Sequence, residues 1–293
     1  MSHEPAKIIN ALTFDVEDYY QVSAFEKHID RGLWDTYESR VFDNTHKILS
    51  FLDIKNIKAT FFILGCVAEK NKNLVMDIHA EGHEVACHGY SHKLVYNQTP
   101  DEFKYETEKA RDILESAINT KILGYRAASY SITHKSLWAL DIIEKCGFLY
   151  DSSIFPIYHD RYGIEDFDRN ICQINYRNRS YNLIEFPISA TRLAGLNIPI
   201  SGGGYFRLYP YRLTKYLLNH YHRRDVAPFM FYLHPWEFDP EQPRIGGLSL
   251  FTKFRHYNNI DKCKERLEQL VSDFSFTRVD AVLKEKGLLR FDD

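Results

Sequence analysis

Short apolar runs alternate with amphipathic stretches along most of the chain, and the two periods read in turn as strands and helices. Ile8 to Phe14 is largely apolar, reads as a buried strand, and ends in a burst of acids, Asp15, Glu17 and Asp18. His46, Ile48, Leu49 and Leu52 then recur at helical intervals within Asp43 to Leu52. Lys58 to Leu64 predicts a second strand closed by Gly65, Val67 to Ala80 a helix with Gly82 past its end, and His83 to Cys87 a third strand. Thr99-Pro100-Asp101-Glu102 is a capping box with proline in the first helical position, opening a long amphipathic helix to about Ala117. Ile122 to Ala128 predicts a strand carrying Arg126. His134 to Cys146 is a helix stopped by Gly147, and Phe148 to Asp151 is a strand that again ends in an acid.

The alternation weakens from Ile157 to Arg179, which predicts a polar, aromatic loop. Leu183 to Ile188 reads as a strand, Ser201 to Gly204 as a glycine turn without a phosphate-binding spacing, and Pro210 to His222 as a helix. Phe229 to Leu233 is a buried strand that delivers His234 at its end. Asn259 to Asp273 is an amphipathic helix, Phe274 to Val279 a strand, and Val279 to Lys286 a final helix. Repeated strand–helix units predict a parallel sheet, and a chain of 293 residues favours a barrel over an open sheet.

Charge and composition remove several function classes. A formal charge of −3 leaves no basic footprint for nucleic acid. Five scattered cysteines without a C-x-x-C pair argue for a reducing compartment and against a disulfide scaffold. The opening MSHEPAKIIN lacks the apolar core of a leader, and no run approaches the length of a membrane span. The expectation is a cytoplasmic protein without a transmembrane segment, or a periplasmic one whose leader has been removed. Aromatic residues make up 15% of the chain and suit either core packing or sugar stacking.

Candidate chemistry sits at the strand ends. His88 and His92, four residues apart across a glycine-containing turn, can meet on one metal. The H-E-x-x-H helix pattern is absent, because His83-Glu84 is followed by histidine five positions after His83. Asp15 and its acidic neighbours, His88 with His92, Arg126, Asp151 and His234 each terminate a different predicted strand, so a parallel barrel would gather them at one mouth. Two histidines and a carboxylate make a three-ligand metal site with room for water. A second carboxylate can serve as base and His234 as acid, with Arg126 and Asp151 tuning them, a set suited to hydrolysis of an amide or ester.

The motifs TFDVED, HGYSH, YRAASY, YDSS and YLH, in that order between Leu12 and His234, resemble the polysaccharide deacetylases of carbohydrate esterase family four, whose catalytic region is the NodB homology domain. The resemblance implies an α/β fold, a distorted (β/α) barrel of NodB type with fewer than eight regular repeats. It implies a hydrolase that removes N-acetyl groups from amino sugars with a divalent metal, most simply Zn2+, with Co2+, Fe2+ or Ni2+ fitting the same ligands. Carried over, Asp15 is the general base, His88 and His92 bind metal, Arg126 orients Asp15, His234 is the general acid and Asp151 tunes it. Val16 stands where the family places its metal-binding aspartate, so the third ligand is Glu17 or Asp18. Ala128 replaces a proline beside Ser129, whose N–H would meet the oxyanion. Tyr130, His159 and Trp236 complete the expected substrate contacts.

The TFDVEDYYQV, IFPIYHDRYG, GGGYFRLYP and YLHPWEFDP stretches resemble the subgroup found with exopolysaccharide and exosortase gene clusters. The implied division is a first barrel part, residues 1–201, and a C-terminal extension, residues 202–293, that includes the last barrel strand with His234. The expected partner is an N-acetylated polysaccharide or oligosaccharide, an exopolysaccharide or its precursor. A hydrolase of a small cyclic amide or ureide and an inactive carbohydrate-binding homologue are the alternatives.

Overall fold

The computed structural model describes residues 8–159, 161–176 and 179–289. Residues 1–7, where the leader expectation begins, and Asp160, Arg177 and Asn178 of the expected loop lie outside them. Strands β1 (Ile9–Val16), β2 (Thr60–Ile63), β3 (Glu84–Cys87), β4 (Gly124–Tyr125) and β5 (Tyr150–Asp151) follow one another as parallel neighbours. Helices α1 (Val41–Lys55), α2 (Gly65–Lys70), α3 (Lys72–Ala80), α4 (Pro100–Ile118) and α5 (Trp138–Lys145) connect them. The Thr99 capping box forms as its spacing predicts: the Thr99 hydroxyl accepts from the Glu102 amide, and the Glu102 carboxylate accepts from the Thr99 amide.

The second half is less regular. β6 (Cys172–Tyr176) runs antiparallel to β7 (Arg179–Glu185), which continues the sheet parallel to β5. A hairpin of β8 (Ala190–Leu193) and β9 (Leu196–Pro199) follows, then α6 (Gly203–Leu208), α7 (Tyr211–Asp225) and β10 (Met230–Leu233). α8 (Leu250–Tyr257), α9 (Cys263–Asp273), β11 (Ser275–Thr277) and α10 (Val279–Glu285) follow among the described residues. The sheet order is β10-β1-β2-β3-β4-β5-β7-β6, with β11 pairing the start of β1. The expected 157–179 loop therefore ends in a strand, and β8, β9 and α8 were not predicted. The expected glycine turn is the entry to α6, where a Cβ on Gly202 would lie 2.0 Å from the Tyr232 carbonyl oxygen.

Both faces of this sheet are buried, which is why its strands read as nearly continuous apolar runs. Leu12, Phe14, Val16, Phe61, Ile63, Val85, Phe231 and Leu233 share one core with the helices. Ala11, Phe62, Ala86, Tyr150, Met230 and Tyr232 share the other, closed at one end by Val279, Val282 and Leu283 of α10. Closure of the barrel between β7 and β10 is irregular: the Ile188 amide donates to Ile154, the Tyr232 amide to the Ser201 carbonyl, and the Met230 amide to the Ser189 hydroxyl. The result is a distorted barrel with fewer than eight regular repeats. Asp15, on the inner face with Ala11 and Thr13, opens into its mouth.

Candidate active site

Strand alternation decides which acids of the first motif face the mouth. Asp15 points inward, Val16 packs outward among the helices, and Glu17 turns inward again just past the end of β1. The Asp15 carboxylate accepts from Arg126 Nη1 at 2.5 Å and, more loosely, from the Tyr130 hydroxyl at 3.5 Å. Arg126 is fully buried, lies 3.9 Å from the Phe62 ring centre, and also donates to Thr13 Oγ1 and to Ser152. A buried guanidinium so tied fixes the orientation of the Asp15 carboxylate.

Glu17, His88 and His92 bring one ligand atom each within 4.8 Å of one another, the group of this kind found among the described residues. His88 Nδ1 lies 2.9 Å from the Arg126 carbonyl oxygen, which can only accept; Nδ1 therefore carries the proton and Nε2 keeps its lone pair. His92, in the left-handed conformation at φ 53°, sets Nε2 2.9 Å from Glu17 Oε2. Burial pushes the His88 imidazole down to about 4. Burial would raise Glu17, but His92 foremost, with His234 and His88, overcomes it and holds the carboxyl at about 2. At neutral pH the group thus offers a carboxylate and a neutral imidazole, and its donors suit a divalent cation of the zinc type. His92 Nδ1 is buried without a hydrogen-bond partner.

Asp18 is drawn away from this group. Its Oδ1 caps the turn Tyr19–Gln21 through the Tyr19 amide, and its Oδ2 accepts from Ser39 Oγ, the Arg40 amide and the Val41 amide. Of the two acids left open by the sequence, Glu17 is the one within reach.

On the opposite wall, the residue that pairs with His234 is Glu237, which corrects the expectation for Asp151. His234 Nδ1 lies 2.9 Å from Glu237 Oε2, and Arg207 Nε of α6 donates to Glu237 Oε1 at 2.6 Å. Burial opposes a charge on His234, but the hydrogen bond and charge of Glu237 override it and raise the imidazole to about 9. Burial likewise opposes a charge on Glu237, and Arg207, then His234, hold it low. Asp151 instead sits in register with Glu185 on β7 and accepts from Ser153 Oγ at 2.6 Å. Burial of these two acids beside each other raises both. His234 Nε2 faces Glu17 at 3.7 Å and Asp15 at 4.0 Å.

Arg207, Glu237 and His256 were not singled out from the sequence. A signal for Glu237 did exist: His234-Pro235-Trp236-Glu237 has a capping-box spacing, and the Glu237 carboxylate does accept from the His234 amide at 3.0 Å. Trp236, expected at the substrate, is buried between His234 and His256, its ring nearly parallel to both, and donates from Nε1 to Glu17 at 3.1 Å. Asp15, Glu17, His88, His92 and His234 open together onto a cleft of about 470 Å³ that Ser129, Tyr130, His159 and Trp236 also line. Ser129 and Tyr130 both hold positive φ, 49° and 54°, and His159 stacks on Tyr162 at 3.8 Å.

Residues 6–150 match the polysaccharide deacetylase family, and residues 152–284 match a domain family of unknown function, DUF3473. A peptidoglycan-N-acetylglucosamine deacetylase of Bacillus cereus is 44% identical over 70 residues, 24% of this chain and 26% of that protein. A peptidoglycan deacetylase-like protein of Gibberella zeae is 32% identical over 110 residues, 37% of this chain and 32% of its own length. The chain thus spans about a quarter to a third of these two relatives. A crystal structure of a Mycobacterium smegmatis protein assigned as a polysaccharide deacetylase covers 98% of this chain and 94% of its own, with TM-score 0.59 at 18% identity, a likeness of fold.

Proposed function

From the match of residues 6–150 to the polysaccharide deacetylase family, we propose that the protein is a metal-dependent N-deacetylase acting on N-acetylhexosamine units of a surface polysaccharide or its precursor. The observation that carries this reading is the meeting of Glu17, His88 and His92 with Asp15 and His234 in one cleft. Glu17, His88 and His92 would hold the divalent cation, zinc by donor chemistry, which when bound supplies a Lewis acid for the acetyl carbonyl and for water.

The remaining steps belong to the chain. Asp15, held through Oδ1 by Arg126, accepts the proton of the attacking water through Oδ2, the oxygen turned to the cleft. His234, holding a proton at Nε2 while Glu237 accepts from Nδ1, delivers that proton to the amine as the carbon–nitrogen bond breaks. Trp236 and Tyr130 close the cleft around these groups, and the Ser129 amide is assigned to the developing oxyanion. On this reading the extension, residues 202–293, supplies the acid and its supports. A cytoplasmic location would make the substrate a precursor, and recovery of the protein chiefly from periplasm would reject that part. Metal analysis with acetate release from an N-acetylated chito-oligosaccharide tests the whole. Stoichiometric metal with turnover is expected, and a metal-free protein with no turnover after zinc is supplied would overturn it.

A further inference from the structure

The cleft has one rim that sugar chemistry does not explain. Along α8, Leu250 is 85%, Phe251 67% and Phe254 54% exposed, and Leu208 of α6, also at the mouth, is 49% exposed. Phe251, Phe254 and Leu208 line the cleft, while Leu250 stands outside it. An aromatic ring can stack on a pyranose, but an aliphatic side chain set beyond the lining has no such face to offer. Large apolar side chains clustered on one short helix mark an interaction surface.

The helix is fixed at its base and bare outside. His256 is its buried residue, stacked on Trp236 with ring centres 4.3 Å apart and placed 2.8 Å from Gln242 Oε1 through Nε2. The charges on α8 and the loop before it have one sign. From Gln242 to Ile260 the chain carries Arg244, Lys253 and Arg255 and no Asp or Glu, although acids outnumber Lys and Arg 40 to 37 overall. Lys253 and Arg255 alternate with the exposed apolar side chains. Apolar groups flanked by lysine and arginine are what the boundary of an anionic lipid layer accepts: the rings and Leu250 enter below the headgroups and the cations meet the phosphates.

We propose that α8 docks the mouth of the cleft onto an anionic lipid surface, so that the sugar reaches Asp15 and His234 from a membrane-attached carrier. The first clause stands on the exposed helix; the second rests on the deacetylase reading above. Sedimentation of the full chain with vesicles of phosphatidylcholine mixed with phosphatidylglycerol, and with phosphatidylcholine alone, tests it. Partition onto the mixed vesicles that salt weakens is expected, falling roughly tenfold or more in the double variant Leu250→Ser, Lys253→Glu. Neither residue lines the cleft, so this variant is expected to keep its melting temperature and its acetate release from a soluble chito-oligosaccharide. Equal partition of variant and parent, or none by the parent, would overturn the proposal. Conversion of a dimer to a monomer by the variant would overturn it too, assigning the patch to a second copy of the chain. Partition without any acetate release would leave lipid docking intact and remove the deacetylase reading instead.

Discussion

Asp15 stands on a strand with ladders on both sides, β2 on one and β10 with β11 on the other, whereas His234 follows a strand whose far edge holds little more than the Gly202–Tyr232 bridge and the Ser189 hydroxyl. The first half positions its groups by backbone register. The second positions His234 by side chains: Glu237 beneath it, Arg207 beneath Glu237, and Trp236 against its face. Truncating Glu237 should therefore loosen the fold as well as change chemistry, because it strands buried Arg207, whereas Asp15→Asn leaves buried Arg126 an acceptor and should change chemistry alone.

The largest effect should come from the metal group. His88→Ala and His92→Ala are expected to lose bound metal and all measurable acetate release while circular dichroism stays that of the parent; stoichiometric metal in both variants would sink the assignment. Next, Asp15→Asn should keep its metal and lose about 10²–10⁴-fold in kcat, since a neutral amide cannot take the proton but still accepts from Arg126. An Asp15→Asn protein that has lost its metal would mean that Asp15 is a ligand and that the two walls share less than proposed.

Glu237 tests the second wall, and the sign follows from His234. Its folded value of about 9 lies above the ordinary 6.5, so the proton stabilises the fold fully below about 6.5 and that stabilisation is lost as pH rises through 9. In chelator-treated protein, the unfolding free energy obtained from urea titrations should fall across this window, by up to about 3 kcal/mol, and Glu237→Gln should flatten the slope. Glu237→Ala should cost about 3–5 kcal/mol at neutral pH because Arg207 is left buried without its partner. The basic limb of the rate profile should move to lower pH in Glu237→Gln and stay put in Asp151→Asn. Movement in the latter alone would restore Asp151 as the tuning residue. The smallest change should be Tyr130→Phe, whose 3.5 Å contact to Asp15 is worth no more than about 1 kcal/mol, or roughly fivefold in rate.

Legibility in the sequence follows the same division. β1 to β5 are buried on both faces, so their apolar runs and the polar residues that end them could be read directly, and the cleft holds Asp15, Glu17, His88, His92 and His234 as those ends predict. Asp151 misled because its neighbour is chosen by the β5–β7 register, which pairs it with Glu185, and no local pattern carries that information. β8 and β9 are short and half exposed, and α8 turns apolar side chains to solvent; neither shows the period of a buried face. Arg207 is a lone basic residue on a six-residue helix, unremarkable until Glu237 is seen beside it.

The pairing of β1 also sets an order of events in synthesis. This strand carries Asp15 and precedes the other strands among the described residues, yet Ala11 pairs with Met230 and Ile9 with Ser275, more than two hundred residues later. While the intervening segments are being made, one edge of β1 has no partner, and such contacts of high sequence separation form slowly and leave an open strand exposed meanwhile. The units from β2 to β5 can assemble as they emerge, but the catalytic mouth is complete only when β10 and β11 arrive, so nascent chains stalled before Phe229 would present an adhesive edge and half a site.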